Sequence, residues 1–408
     1  MKLQTISPSP EVAPTPERRV DLDWVRISAF GLLIFYHVGM LYVSWGFHIK
    51  SAHRITALEP LMLVLNPWRL ALLFLVSGVA TRFMLRKYRL SPLLRSRSAR
   101  LLIPLVFGML VVVPPQAYVQ IVESLGYPAG FVDFYRQHYL AFAPQFCPNP
   151  CIVLPTWNHL WFVVYLWVYT MALGAVLAAV PGLVDWVERK LAAALSSAAA
   201  LLVVPSLVLA AYRLVLLPSF PPTHALFGDW YDHALYATVF LLGFLLARVE
   251  AFWDAIEGQR WMALSLAVVA YLSFLAVWSG KLGPHSFSLR VFGAFAYSSY
   301  QWLCMVAVIG FARRWLTADS ALRRYLTDAI FPYYIVHQTA IIMIARALDG
   351  RDLPAWLEAG IVISGTIAAC AVTYEIVRRV PILRPLFGLR ASTPEPAMAM
   401  RARSLPAQ

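Results

Sequence analysis

Apolar runs of about twenty residues, the length an α-helix needs to cross a bilayer, recur along this chain from Asp21 to Val377. No other feature of the sequence narrows the available folds as far. Ten runs can be drawn, at 24–43, 60–80, 101–119, 159–180, 191–217, 233–249, 260–279, 289–311, 328–348 and 356–377. With no water inside a bilayer, each run must satisfy its own backbone N–H and C=O groups, and a helix does so within one segment. The chain is 60% hydrophobic and 13% charged, against roughly 25% charged in soluble domains. Soluble helices would carry a polar face, which these runs lack. The expected fold is all-α: a polytopic integral membrane protein with about ten transmembrane helices.

The net charge of +13 raises nucleic acid as a partner, but the basic residues sit in particular short loops between the apolar runs. That is how a polytopic chain encodes its orientation, and nucleic-acid binding is a poor reading. Arg82, Arg86, Lys87, Arg89, Arg95, Arg97 and Arg100 follow the second run. Arg313, Arg314, Arg323 and Arg324 follow the eighth, and Arg378, Arg379, Arg384 and Arg390 follow the tenth. The loop 120–158 holds only Arg136, and 218–232 holds neither Lys nor Arg. This asymmetry puts both termini in the cytoplasm, although the acidic stretch Glu250–Gln259 on that side weakens the rule locally.

Residues 1–19 read as a disordered cytoplasmic tail rich in Pro, Ser, Glu and Thr, and 389–408 as a flexible basic cytoplasmic tail. Between them, 20–388 reads as one transmembrane domain without repeats. The first run reads as an uncleaved anchor, because no small-residue cleavage site follows a short apolar core. The outer loop contains Cys147 and Cys151, close enough to close a small disulfide turn in an oxidising compartment. No further ligands at a sensible spacing make a metal site of them. Cys304 and Cys370 read as small apolar residues within spans.

Charged or titratable groups at membrane depth are costly and are functional candidates by default. Arg26 and His37 lie inside the first run, eleven residues apart. At about 100° per residue, that spacing returns to within ~20° of the starting face, about 16 Å along the axis. Arg26 alone could merely anchor the span at the headgroups, with Asp23 as an ion partner on the same side. Arg69 lies in the second run, eight residues before Ser77 and Gly78. His159 opens the fourth, Arg213 lies near the outer end of the fifth, and His337 sits within the ninth. His37, His159 and Arg213 fall at similar depth in the outer half, which suggests a lined cavity, with His337 deeper. A neutral imidazole can take a proton from an attacking hydroxyl. An arginine can hold a phosphate or carboxylate in a bidentate grip.

Arg26 followed by His37, Arg-x10-His just after Leu-Asp, resembles the hallmark of the membrane-bound acyltransferase-3 superfamily. The stretch Leu73–Val79 looks like that family's aromatic-rich segment ending in Ser-Gly, and the basic loop ending at Pro104 is similar too. More narrowly, His159–Phe162, Tyr334–His337, Tyr374–Leu383 and Arg213 before Pro221-Pro222 resemble the glucans biosynthesis protein C group, implicated in succinylating periplasmic glucans. The resemblance runs from about residue 20 to 388. Gln338 follows His337 where the subgroup often has a second histidine, and the Cys147–Cys151 element and the Pro-rich tail lie outside the pattern.

The resemblance implies transfer of an acyl group, succinyl or acetyl, from a cytoplasmic acyl-CoA to a hydroxyl of an extracytoplasmic glucan or other saccharide. It implies a multi-pass protein of the bacterial inner membrane, with acyl-CoA as donor substrate, no bound cofactor and no metal. His37 and Arg26 are the catalytic candidates, His37 as general base or as nucleophile. Arg69, Ser77, Arg82, His159, Arg213 and His337 are candidate substrate-binding residues. Arg69, Arg82 and the basic loop would face the CoA phosphates, and Arg213 would hold a succinyl carboxylate. Asp23, Gly78 and Trp161 read as supporting residues. A transporter or flippase of a glycan or lipid-linked precursor is the alternative, disfavoured because no inverted internal symmetry is visible.

Overall fold

The computed structural model describes residues 19–147, 152–283 and 286–390. The helices, in chain order, are α1 (Val20–Gly39), α2 (Glu59–Lys87), α3 (Leu90–Phe107), α4 (Pro114–Leu125), α5 (Phe131–Gln137), α6 (Trp161–Ala179) and α7 (Leu183–Ala194). They continue as α8 (Ala198–Val215), α9 (Trp230–Leu246), α10 (Glu250–Gly258), α11 (Arg260–Trp278), α12 (Phe287–Trp315), α13 (Ala321–Leu348), α14 (Ala355–Arg379) and α15 (Leu383–Leu386). Among the described residues, seven helices are long and apolar enough to cross a membrane, or nine if two bent pairs each count as one span. The chain is a multi-pass, all-α membrane protein.

Eight of the ten drawn runs each fall on one helix, while 101–119 crosses the break between α3 and α4 and 191–217 takes in the end of α7 before α8; α1 is not among the helices that pass as spans. The physical reason is its content: Asp21, Asp23, Arg26 and His37 sit in twenty residues. It packs against α2, α12, α13 and α14, so it meets protein where α11 and α14 meet lipid and can carry polar groups.

Two interruptions shape the interior. α3 runs into a wide turn at Gly108–Val112 and bends 43° into α4. The carbonyls freed there are taken up by neighbours, as membrane burial demands. Tyr139 O–H donates to Met109 O at 2.6 Å, Tyr135 O–H to Leu110 O at 2.9 Å and Thr339 Oγ1 to Val112 O at 2.8 Å. In α2, Pro67 lacks the N–H that would continue the ladder. Around it, Val64 O accepts from Tyr300 O–H at 2.6 Å, and Pro67 O from Gln301 Nε2, both on α12. α2 is thereby fixed to α12 just before Arg69.

α2 and α9 cross at their backbones. A Cβ on Gly78 would lie 2.0 Å from Phe240 O, and one on Gly243 2.0 Å from Leu75 O. Small residues permit this approach, which replaces a hydrophobic driving force between helices in lipid. Gly78 therefore acts through packing. At the other end of α9 a 113° bend leads into α10. The acidic residues noted there are neutralised: Arg313 of α12 pairs with Glu250, Asp254 and Glu257 at 3.2, 2.6 and 3.2 Å.

The outer loop folds onto itself. β1 (Ala143–Gln145) and β2 (Ile152–Leu154) pair antiparallel, Ala143 opposite Leu154. Phe134, Tyr139 and Leu154 form a small core beneath them. Cys147 is disulfide-bonded, and Cys151 lies outside the described residues. Cys304 and Cys370 are free thiols. Most of both expected tails also lies outside the described residues, whose first, Arg19, caps the bundle by pairing with Asp21 at 2.7 Å and covering the Trp253 ring at 4.4 Å.

Candidate active site

Four helices turn the same sequence of faces toward two stacked cavities. The larger, about 730 Å³, is lined by Leu33 and His37 of α1, Arg69 and Leu70 of α2, Trp161 and Phe162 of α6, and Tyr334 and His337 of α13. The smaller, about 310 Å³, is lined by Arg26 and Phe30 of α1, Leu70 and Ser77 of α2, Phe162 and Leu166 of α6, and Phe331 and Tyr334 of α13. Leu70, Phe162 and Tyr334 line both. They make the wall that the chambers share, and a passage between the two would open there, at an apolar neck. The face of α1 singled out by the Arg26–His37 spacing thus runs along both chambers, with Arg26 in one and His37 in the other.

The smaller chamber is basic. Arg26, Arg97 and Arg100 line it, against one acid, Asp328. Arg97 is steadied by donating from Nη2 to Thr81 Oγ1 at 2.7 Å, and Arg100 donates to Gly388 O at 3.3 Å. Arg82 is not at this wall. It is taken up by Glu188 of α7 at 2.6 Å and lies over the Phe244 ring, so its charge is spent on packing α7 against the α2–α9 pair. Asp23 accepts from Arg323 of α13, a buried residue that also pairs with Asp319 at 2.9 Å. Asp23 therefore ties α1 to α13, a partner the sequence spacing did not point to.

In the larger chamber three imidazoles stand in a row. Ring centroids are 5.3 Å apart for His37 and His337, and 5.2 Å for His337 and His159. Their tautomers follow from their partners. His159 Nε2–H donates to the carbonyls of Tyr334 and Ile335 at 3.2 and 3.1 Å, and Nδ1 faces Gln116 Nε2 at 3.3 Å. Both its nitrogens are occupied, so it is a brace between α6 and α13. His337 Nδ1–H donates to Tyr334 O at 2.8 Å. A carbonyl only accepts, so in the neutral ring Nε2 keeps its lone pair. That Nε2 and Nδ1 of His37 are buried without a hydrogen-bond partner among the described residues.

Gln338, noted as a departure from the family pattern, joins a network the sequence did not reveal. Its Nε2 donates to His48 Nε2 at 3.0 Å and to Gln116 Oε1 at 3.1 Å. His48 Nδ1–H in turn donates to Gln120 Oε1 at 2.7 Å. Burial pushes the His48 imidazole down to about 4, which keeps it neutral and able to accept from Gln338. Gln116, His48 and Gln338 come from α4, a loop and α13; single polar residues in three segments carry no spacing signal.

The remaining wall mixes charges. Arg69 lies 4.0 Å over the Tyr36 ring and is 2% exposed. It lines the larger chamber, away from the basic one where the sequence expected it. Arg213 covers Tyr297 at 3.6 Å and donates to Tyr231 O–H at 3.2 Å. Asp232 is 2% exposed, lines the same chamber, and its Oδ2 has no hydrogen-bond partner. Trp161 stacks on His224, centroids 4.3 Å and planes 12° apart. Carboxylate, guanidinium and flat aromatic faces together suit a polyhydroxylated ligand.

The family model described as Acyltransferase domain, the acyltransferase-3 family, matches residues 19–375. The chain is similar to "Glucans biosynthesis protein C" of Escherichia coli strain K12, 23% identical over 92% of this chain and 95% of the relative. The proteins of the same name from strains O81 (ED1a) and O9:H4 (HS) match with the same identity and coverage. No solved structure matches the chain.

Proposed function

Because this chain belongs to the acyltransferase-3 family, and so is a membrane acyltransferase, we infer that it moves an acyl group, succinyl or acetyl, from a cytoplasmic acyl-CoA to a hydroxyl of an extracytoplasmic saccharide. One observation carries this reading. A basic chamber and a polar, aromatic one meet at a neck, and paired imidazoles lie just beyond it. The basic chamber suits the phosphates of CoA, with Arg26, Arg97 and Arg100 as holders. The aromatic wall with Asp232 and Arg213 suits the saccharide, and the relatives' name makes a glucan the first acceptor to test.

The chemistry assigned to the chain's own groups is proton transfer. The acceptor oxygen attacks the thioester carbonyl carbon as its proton passes to His37 Nε2. The C–S bond then breaks, and the departing thiolate takes that proton from the imidazolium. His37 Nδ1 and His337 Nε2 belong to rings whose centroids are 5.3 Å apart, and neither has a hydrogen-bond partner among the described residues. A modest closure lets His37 Nδ1–H donate to His337 Nε2, which fixes the lone pair of His37 on Nε2. His337 is a positioning residue in this scheme, itself anchored by Tyr334 O. Arg26, Arg86, Arg97 and Arg100 gather around the smaller cavities, which supports a cytoplasmic placement of that end in a bacterial inner membrane.

The test is mass spectrometry of envelope glycans from cells with and without the gene, and with His37→Ala. Loss of one acyl mass in the deletion and in His37→Ala, with the variant present in the membrane, is expected. Unchanged substitution by His37→Ala overturns the assignment. Movement of a glycan across vesicles without any acyl-CoA would favour the transporter instead.

A further inference from the structure

Arg69 is a cation with no ion-pair partner among the described residues. It is 2% exposed, and its Nε and Nη1 are buried without a hydrogen-bond partner. The one favourable contact in view is the Tyr36 ring at 4.0 Å. Removing a guanidinium from water costs more than a desolvated cation–π contact returns, so the aromatic face does not offset the burial. The ring fixes the plane of the guanidinium and leaves its N–H edges for something else. The position is also built: Tyr300 O–H and Gln301 Nε2 hold the backbone of α2 at Val64 and Pro67, just before Arg69.

Its place relative to the neck says when it would be used. Leu70 lines both chambers, and Arg69, the preceding residue, lines only the larger. On α13, Tyr334 lines both chambers and His337, one turn on, lines only the larger. A thioester pushed through the neck therefore emerges between Arg69 on one side and the His37–His337 pair on the other. Arg213, the other arginine of the chamber, already donates to Tyr231.

We propose that Arg69 is the oxyanion-stabilising residue of the transfer. This rests on the acyl-transfer reading above. When the acceptor oxygen bonds to the carbonyl carbon, the C=O electron pair moves to oxygen and the acceptor proton moves to His37. The negative oxygen then faces the Arg69 N–H groups. As the carbonyl reforms, the C–S bond breaks and the thiolate leaves. A cation already desolvated and oriented needs no reorganisation at that moment, and removing such a donor costs about 10²–10³ in kcat.

The experiment uses the full chain in lipid nanodiscs with two donors, a neutral acyl-CoA and an ω-carboxyacyl-CoA, and follows both transfer to a soluble glucan and thioester hydrolysis. Arg69→Lys and Arg69→Gly should lower kcat for both donors by the same factor, about 10²–10³ for the glycine variant, with donor KM changed by less than threefold. Added guanidinium chloride at millimolar concentration should restore part of the rate to Arg69→Gly and none to His37→Ala. If Arg69→Gly does not fold, the equal kcat loss in Arg69→Lys carries the test. A loss confined to the carboxyacyl donor makes Arg69 a carboxylate holder and overturns the proposal, as does a change in KM alone. Arg69-dependent hydrolysis without transfer to any glucan would overturn the acceptor reading and leave this one standing.

Discussion

Replacing His337 with asparagine or phenylalanine tests how the imidazole of His37, the proposed base, is oriented. His337 Nδ1–H is held by Tyr334 O at 2.8 Å, and its ring centroid is 5.3 Å from that of His37. In the closed arrangement proposed above, its removal takes away the acceptor for His37 Nδ1–H and lets the proton sit on either nitrogen. A hydrogen bond lost in a buried site, leaving one group unsatisfied, costs about 1–3 kcal/mol. At 1.36 kcal/mol per tenfold, kcat should fall by about 5- to 150-fold. This is less than the 10²–10⁴-fold typical of losing the base itself. Steady-state transfer across pH 5.5–8.5 reads it, because an orienting role also displaces the acid limb of the kcat profile. In the His37→Ala background, His337→Asn should add no further loss, since the two rings act as one unit. A full further loss in the double variant, or an unchanged kcat in the single one, would refute the reasoning.

Three other outcomes follow from the same geometry. Gly78→Ala places a Cβ 2.0 Å from Phe240 O and 2.9 Å from Phe244 N, both rigid backbone atoms. It should destabilise by about 1–3 kcal/mol, read as a lower unfolding temperature in detergent, and Gly243→Ala should act in the same direction. Leu70→Trp narrows the neck between the chambers and should slow transfer tenfold or more while the protein still unfolds near the wild-type temperature; an unchanged rate would show that the donor takes another route. For His48 the folded value, about 4, lies below the ordinary 6.5. The stabilisation from its neutral form is therefore complete above about 6.5 and disappears as pH falls toward 4. Unfolding temperature measured between pH 7.5 and 4 should drop more steeply for wild type than for His48→Gln.

Much of this protein could be read along one dimension. Length and hydropathy of the runs determined an all-helical membrane fold, because a bilayer admits few ways to satisfy a backbone. Spacing put Arg26 and His37 on one face of α1, because helix geometry is fixed. Local rules are silent on partners that come from elsewhere in the chain. Helix spacing placed Asp23 beside Arg26, and the fold adds Arg323, which reaches Asp23 from α13. Arg69, within the second run, and Arg82, just after it, looked alike as arginines for the CoA phosphates. The fold turns Arg69 into the larger chamber and gives Arg82 to Glu188.

The sequence by itself determined which residues are awkward in a membrane: Arg26, His37, Arg69, His159, Arg213 and His337 are costly there wherever they point. Only the tertiary structure decided which of those costs are met within the protein. His159 is satisfied by Gln116 and two carbonyls, whereas His37 Nδ1, His337 Nε2 and two nitrogens of Arg69 are left without partners around one cavity. Satisfaction is a property of contacts between distant segments, and the direction of a side chain around a helix axis is set by what packs beside it.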